Sequence, residues 1–302
     1  MGTVNPGDEV LVPDPSWLHY YHCIAMAGGR AVSVPLREKN GFRLDPDDIA
    51  RAITERTRML IVLTPHNPTG AVLREDDLEA FASLARKHNL LVLSDEIYEK
   101  LVYDGAKHFS IGCLPGMRER TLTVNGFSKA YSMTGWRLGY VAGSRELIDI
   151  LIRVHQYTVV RATSFAQTGA VTAYRGPQEC VEEMRLEFAR RRKLILDRLE
   201  RMSGIHCVHP EGAFYVFPSV RDLGRSSEEV AMHLLEDGLV ATVPGSAFGK
   251  HGEGYLRLAY SNSQANIDEA MERMEQSVIR LCRTRRDPHF TGLWARSYFL
   301  TP

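Results

Sequence analysis

The chain of 302 residues has no excess of either charge: 37 lysines and arginines stand against 37 aspartates and glutamates. A balanced chain has no global basic field for nucleic acid or anionic lipid, so neither is an expected partner, and a small, locally recognised ligand is. Cysteine is scarce. Cys23, Cys113, Cys180, Cys207 and Cys282 are odd in number and scattered, with no Cys-x-x-Cys pair. That pattern fits free thiols in a reducing compartment, not a disulfide framework. No apolar run approaches the ~20 residues of a membrane span. Met1 to Val10 lacks the charged and apolar regions of a secretory leader, so the expected location is cytoplasmic. Internal repeats and low-complexity tracts are missing too. What remains is an ordinary globular composition, 44% hydrophobic and 25% charged, in a chain long enough for a substantial core.

Short β-branched runs alternate with helical patterns through the first half. Strands are expected at Glu9–Val12, Ala31–Val34, Met59–Leu63, Leu90–Leu93, Thr121–Val124 and Leu138–Ala142. Helices are expected over Trp17–Met26, Asp45–Thr54 and Glu75–His88. The continuous apolar character of Met59–Leu63 predicts burial on both faces. This alternation implies an α/β fold, a mostly parallel sheet with helices on both faces. The second half reads differently. Helices at Glu146–His155 and Thr163–Tyr174 precede a long charged one over Glu179–Met202. Short strands follow at His206–His209, Ala213–Phe217, Val240 and Tyr255–Ala259, with helices at Ser227–Leu235 and Ile267–Leu281. The expected division is a large domain over 1–175, a connector helix with a small C-terminal α+β domain over 176–282, and a tail over 283–302.

Lys129 sits just past the end of an expected buried strand, where open α/β sheets place their ligands. Such a lysine can form a Schiff base with an aldehyde cofactor; an ordinary lysine on a surface loop is the alternative. Arg137, flanked by Gly135 and Gly139, can fork onto a phosphate. Pro65-His66-Asn67-Pro68-Thr69-Gly70 reads by itself as a turn. Asp95, in Ser94-Asp95-Glu96-Ile97-Tyr98, can cap a following helix. Arg257 lies within the apolar run Tyr255–Ala259, where a charge needs a partner, either a ligand carboxylate or a structural acid. Trp17, in Pro13-Asp14-Pro15-Ser16-Trp17, can be plain core.

Gly126-Phe127-Ser128-Lys129-Ala130-Tyr131-Ser132-Met133-Thr134-Gly135-Trp136-Arg137 resembles the pyridoxal-phosphate attachment signature of the class I/II aminotransferases, fold-type-I enzymes. The other motifs follow in that family's order, and the resemblance runs from about Asn5 to Leu281. It implies a fold-type-I large domain plus a smaller α+β domain, pyridoxal 5'-phosphate as cofactor, and amino transfer between an amino acid and a 2-oxo acid. It also implies a homodimer. By the same resemblance Lys129 is the catalytic, cofactor-binding lysine and Arg137 the phosphate arginine. Asn67 and Tyr98 address the cofactor's phenolate oxygen, and Asp95 its pyridine nitrogen. Trp17 stacks on the ring, and Arg257, with Asn67, binds the substrate. Many members carry a serine where this chain has Gly126, and Ser128 is the candidate substitute.

The resemblance begins abruptly at Pro6-Gly7-Asp8-Glu9. Members carry before it an N-terminal arm, a first strand and a Gly/Ser-rich phosphate loop at a helix N-terminus. Their absence here would expose an edge at Leu138, Tyr140 and Val141. Two other functions stay open: a β-eliminating carbon–sulfur lyase using the same cofactor, and a non-catalytic truncated remnant. No metal is expected. His206-Cys207-Val208-His209 cannot aim three neighbours on one strand at one ion. Gly245–Lys250 has the wrong spacing for a phosphate loop, and Arg190–Lys193 reads as a solvated helix face.

Overall fold

In the computed structural model, which describes residues 1–284, five parallel strands form the heart of the first half. They are β1 (Glu9–Asp14), β2 (Arg30–Pro35), β3 (Thr57–Leu63), β4 (Leu91–Asp95) and β5 (Thr121–Gly126). β6 (Gly139–Ala142) adds antiparallel to β5 and ends the sheet, whose order is β2-β1-β3-β4-β5-β6. All six residues of β1 are buried, and in β3 only Arg58 is exposed. Such strands need cover on both faces.

One face is covered by α1 (His19–Met26), through the cluster of Val10, Val12, Ile24, Met59 and Ile61. The other is covered by α2 (Pro46–Ala52) and α3 (Glu75–Lys87), with Leu11, Leu60, Val62 and Phe81 in the second cluster. In α3 the buried residues Leu78, Phe81, Ala82 and Ala85 follow helical spacing and form one stripe. α2 starts where Asp45 accepts a hydrogen bond from the Asp47 N–H, with Pro46 in its first turn.

Beyond β6 run α4 (Arg145–Thr158), α5 (Ser164–Arg175) and the 21-residue α6 (Glu179–Leu199). A small antiparallel sheet follows, order β7-β9-β8, from β7 (Tyr215–Val216), β8 (Val243–Pro244) and β9 (Leu256–Ala259). α7 (Ser227–Glu236), with a Ser226/Glu229 capping box, and α8 (Gln264–Thr284) complete it. A third cluster joins α6, α7, α8 and β9 to Tyr98, Leu101 and Tyr103. Conversely, Phe217, Phe248 and Tyr255 pack into the cluster beneath the large sheet. The apolar cores therefore cross position 175 in both directions.

Several expectations need correction. The first helix begins at His19, because Trp17 lies before its N-cap Leu18. His206–His209 is no strand: one isolated bridge links His206 to Ser219, and Pro210 follows. Val240 is not in a strand either. Leu239 is left-handed, and the Val240 N–H donates to Leu234 O, so this pair closes α7. The strand comes later, at β8. The tail beyond Thr284, including Phe290–Pro302, lies outside the described residues.

Candidate active site

Because β1, β3, β4 and β5 run parallel, their C-terminal ends share one edge of the sheet, and the loops that follow deliver the candidate residues there together. Trp17 follows β1, Asn67 follows β3, Asp95 ends β4 and Lys129 follows β5. The small sheet supplies Arg257 from β9 and Tyr215 from β7.

Lys129 Nζ lies 5.3 Å from the centre of the Phe214 ring and 5.8 Å from that of Tyr98. Burial, then the positive charges of Arg257 and Arg137, lowers its proton affinity. The amine is therefore neutral more readily than a surface lysine.

Tyr98 is buried, and its hydroxyl lies 2.9 Å from that of Tyr215. Desolvation raises the Tyr98 pKa well above its ordinary value, so it stays a phenol. Arg257 lies over two rings, Tyr215 at 4.7 Å and Phe248 at 4.8 Å. Its Nη1 donates to Asn67 Oδ1 at 3.2 Å. It forms no ion pair with any carboxylate among the described residues, and its Nε is buried without a hydrogen-bond partner. A structural acid for Arg257 is thus not found among them.

The Asn67 loop is held rigidly. His66 Nδ1 lies 2.9 Å from Thr69 Oγ1, and the Leu73 N–H donates to Thr64 Oγ1. Gly70, at φ 71°, accepts from the Glu211 and Gly212 N–H groups through its carbonyl. A Cβ there would stand 2.3 Å from Pro210 Cβ, so the close approach requires glycine. The Thr64–Pro65 and Asn67–Pro68 peptides are cis. Burial holds the His66 imidazole neutral, with its pKa down to about 3.

Asp95 does not cap a helix; its Oδ1 accepts from the Ile97 N–H at 3.2 Å within a turn. Its Oδ2 accepts a 2.5 Å hydrogen bond from Tyr20, a residue the motifs did not single out. Desolvation raises the Asp95 pKa, while the hydrogen bonds from Tyr20 and Ile97 oppose the rise. Next to it, Glu96 accepts from Ser94, Ser110 and His108. Glu96, Glu99 and His108 place potential ligand atoms within 4.8 Å of one another, but these three donors already satisfy Glu96.

Arg137 is exposed, left-handed at φ 53°, and its Nη1 donates to Thr134 O at 2.8 Å. Trp17 stacks on His19 at 4.5 Å. Gly126 pairs across the sheet with Gly139, and a Cβ on it would stand 3.1 Å from both the Gly139 Cα and the Leu138 carbonyl. A side chain at this position would therefore be tightly packed. The two histidines of His206–His209 have separate acids, Asp222 and Glu200.

The sequence model for aminotransferase class I and II matches residues 1–274. An aspartate aminotransferase of Pyrococcus abyssi is 48% identical over 91% of this chain and 70% of its own length. An aromatic-amino-acid aminotransferase of Thermococcus litoralis is 46% identical over 89% of this chain and 69% of its own. The solved aromatic aminotransferase of Pyrococcus horikoshii superposes with a TM-score of 0.90 at 45% identity, covering 94% of this chain and 76% of that one. The sheet order, the residues gathered at its edge and these matches agree, and the chain belongs to the class I and II aminotransferase family.

Proposed function

We propose that the chain transfers an amino group between an amino acid and a 2-oxo acid on pyridoxal 5'-phosphate, with Lys129 as the cofactor-binding lysine. The observation that carries this reading is the chemistry gathered at one sheet edge. It comprises an amine of lowered proton affinity, a desolvated carboxylate, and an arginine with no acid partner among the described residues. This donor set fits the group. Lys129 answers an aldehyde, Asp95 a pyridine nitrogen, Asn67 and Tyr98 a phenolate oxygen, and Arg137 a phosphate. Trp17 offers a ring to stack on it. When bound, the cofactor supplies an electron sink for the charge left at the substrate's Cα.

The protein's own residues do the rest. Lys129 would hold the cofactor and, once free of it, would move the proton at the substrate's Cα; burial, then Arg257 and Arg137, lowers its proton affinity, which favours that role. Arg257 forks onto the substrate α-carboxylate, oriented by its bond to Asn67 and by the flanking rings. The relatives are named for aspartate and for aromatic amino acids, which favours transfer over carbon–sulfur elimination. We infer a homodimer in the cytoplasm, with a domain division at 175/176 and α6 as the connector. The exposed apolar surface of α4 and α5 supports the dimer.

Titration of the purified protein with pyridoxal phosphate, then borohydride reduction and peptide mapping, tests the assignment. The expected result is a visible absorbance band fixed on the peptide containing Lys129. Lys129→Ala is expected to abolish transamination with an unchanged melting curve. Retained turnover in that variant, or label on another lysine, would overturn the reading.

A further inference from the structure

Tyr20 belongs to none of the family-like motifs, yet it makes the closest polar contact to Asp95, 2.5 Å from Oη to Oδ2. We propose that Tyr20 is a positioning residue for the amino-transfer reaction, holding the Asp95 carboxylate ionised and fixed in rotation through this hydrogen bond. The inference rests on the reading that Asp95 faces the cofactor's pyridine nitrogen.

The geometry begins with one turn of chain. The Tyr20 N–H donates to Trp17 O as α1 starts, so the three-residue step from Trp17 places both rings at the same end of the sheet. The Tyr20 ring packs against the cluster of Val10, Val12, Ile24, Met59 and Ile61 beneath β1 and β3. Its hydroxyl thus reaches the end of β4 from a packed support, not from a loop. A carboxylate has about four lone-pair positions. Tyr20 takes one on Oδ2 and the Ile97 N–H takes one on Oδ1, which pins the plane of the group and leaves the others free.

The charged groups around this pair oppose ionisation of Asp95. Glu96 adjoins it and raises its proton affinity, and burial does so more strongly. Tyr98, the next phenol, interacts with Asp95 but is bonded to Tyr215. Tyr20 remains a donor throughout, because burial and the Asp95 charge both resist its own ionisation. Without the Tyr20 hydroxyl only the Ile97 N–H favours the carboxylate form. A protonated Asp95 cannot pair with a pyridinium charge.

Tyr20→Phe removes one oxygen and keeps the packed ring. The first readout needs no cofactor: carbon NMR titration of the Asp95 carboxyl in wild type and variant. The midpoint is expected to rise by about one pH unit, the size of a hydrogen bond to a charged group. In the loaded enzyme the pyridine nitrogen signal of isotope-labelled cofactor should move toward its neutral position. kcat should fall by roughly tenfold, matching that unit, while KM for the amino donor changes little. Tyr20→Met, which fills the space without a hydroxyl, should give the same midpoint shift if the hydroxyl is the cause. An unchanged Asp95 midpoint in both variants would overturn the proposal, whatever the activity. The underlying reading fails separately: Asp95→Asn with an unaltered pyridine nitrogen signal would remove Asp95 from the cofactor and leave the Tyr20–Asp95 link standing.

Discussion

The two flanks of the large sheet differ sharply. On the side of β1, β3 and β4, both faces are covered, and Val10, Leu11, Val12, Leu60 and Val62 are wholly inaccessible. At the other end all four residues of β6 are exposed, with Tyr140 at 36% and Val141 at 40%. Beside them Ile152, Tyr157, Val160 and Phe165 of the α4–α5 region face outward, around an open groove lined by Phe127, Tyr140, Tyr174, His155 and Arg161. The candidate site straddles this divide. Asn67, Asp95 and Tyr98, proposed for the cofactor ring, belong to the covered side and are held by hydrogen bonds. Arg137, proposed for the phosphate, belongs to the open side and, among the described residues, is bonded only to Thr134 of its own loop. These three residues proposed for the cofactor ring are thus buried or partly buried and cross-linked, and the one proposed for its phosphate is exposed.

Three perturbations sharpen or break this contrast, beginning with the most damaging. Leu60→Ala cuts into the covered side and should cost about 2–5 kcal/mol, as a cavity between two covered faces cannot collapse readily. Urea unfolding measures it, and a loss below ~1 kcal/mol would show that this flank is not tightly packed.

His66 gives a pH-dependent version of the same test. Its folded-state pKa, about 3, lies below the unfolded value near 6.5. The unfolded chain therefore binds the extra proton first. Stability present above pH 6.5 is lost as pH falls toward 3, by about 1.4 kcal/mol per unit from this group. His66→Gln should flatten the fall between pH 6 and 4; equal slopes for variant and wild type would mean that His66 is not sealed from water. The smallest effect belongs to the open flank. Val141→Lys should change monomer stability by no more than about 0.5 kcal/mol while reducing self-association in sedimentation. An unfolded variant would show that β6 is covered in the protein as it exists in solution.

The same contrast explains what could be read from the sequence. The covered strands announce themselves as unbroken apolar runs, and Lys129, Asn67, Asp95, Tyr98 and Arg257 stand at their ends or in motifs with fixed spacing. Tyr20 escaped because its chemistry is not local: it meets Asp95 across 75 positions, and in sequence it is one aromatic residue on a helix. Its place three residues beyond Trp17 was the available signal. Tyr215 escaped for the same reason, because its role depends on Tyr98 and Arg257 arriving from elsewhere. Val240 misled because a β-branched residue satisfies a helix end as readily as a strand. His206–His209 misled because its one bridge partner, Ser219, lies beyond a proline that interrupts any ladder.

The aromatic clamp on Arg257 also bears on how the protein would respond to salt. Mobile ions weaken attraction between groups that they can surround, over a screening length of about 8 Å at physiological ionic strength. A guanidinium wedged between Tyr215 and Phe248, with its Nε shut away, leaves little room for them. If Arg257 binds the substrate carboxylate and Arg137 the phosphate, as proposed, added salt should weaken the first contact less than the second.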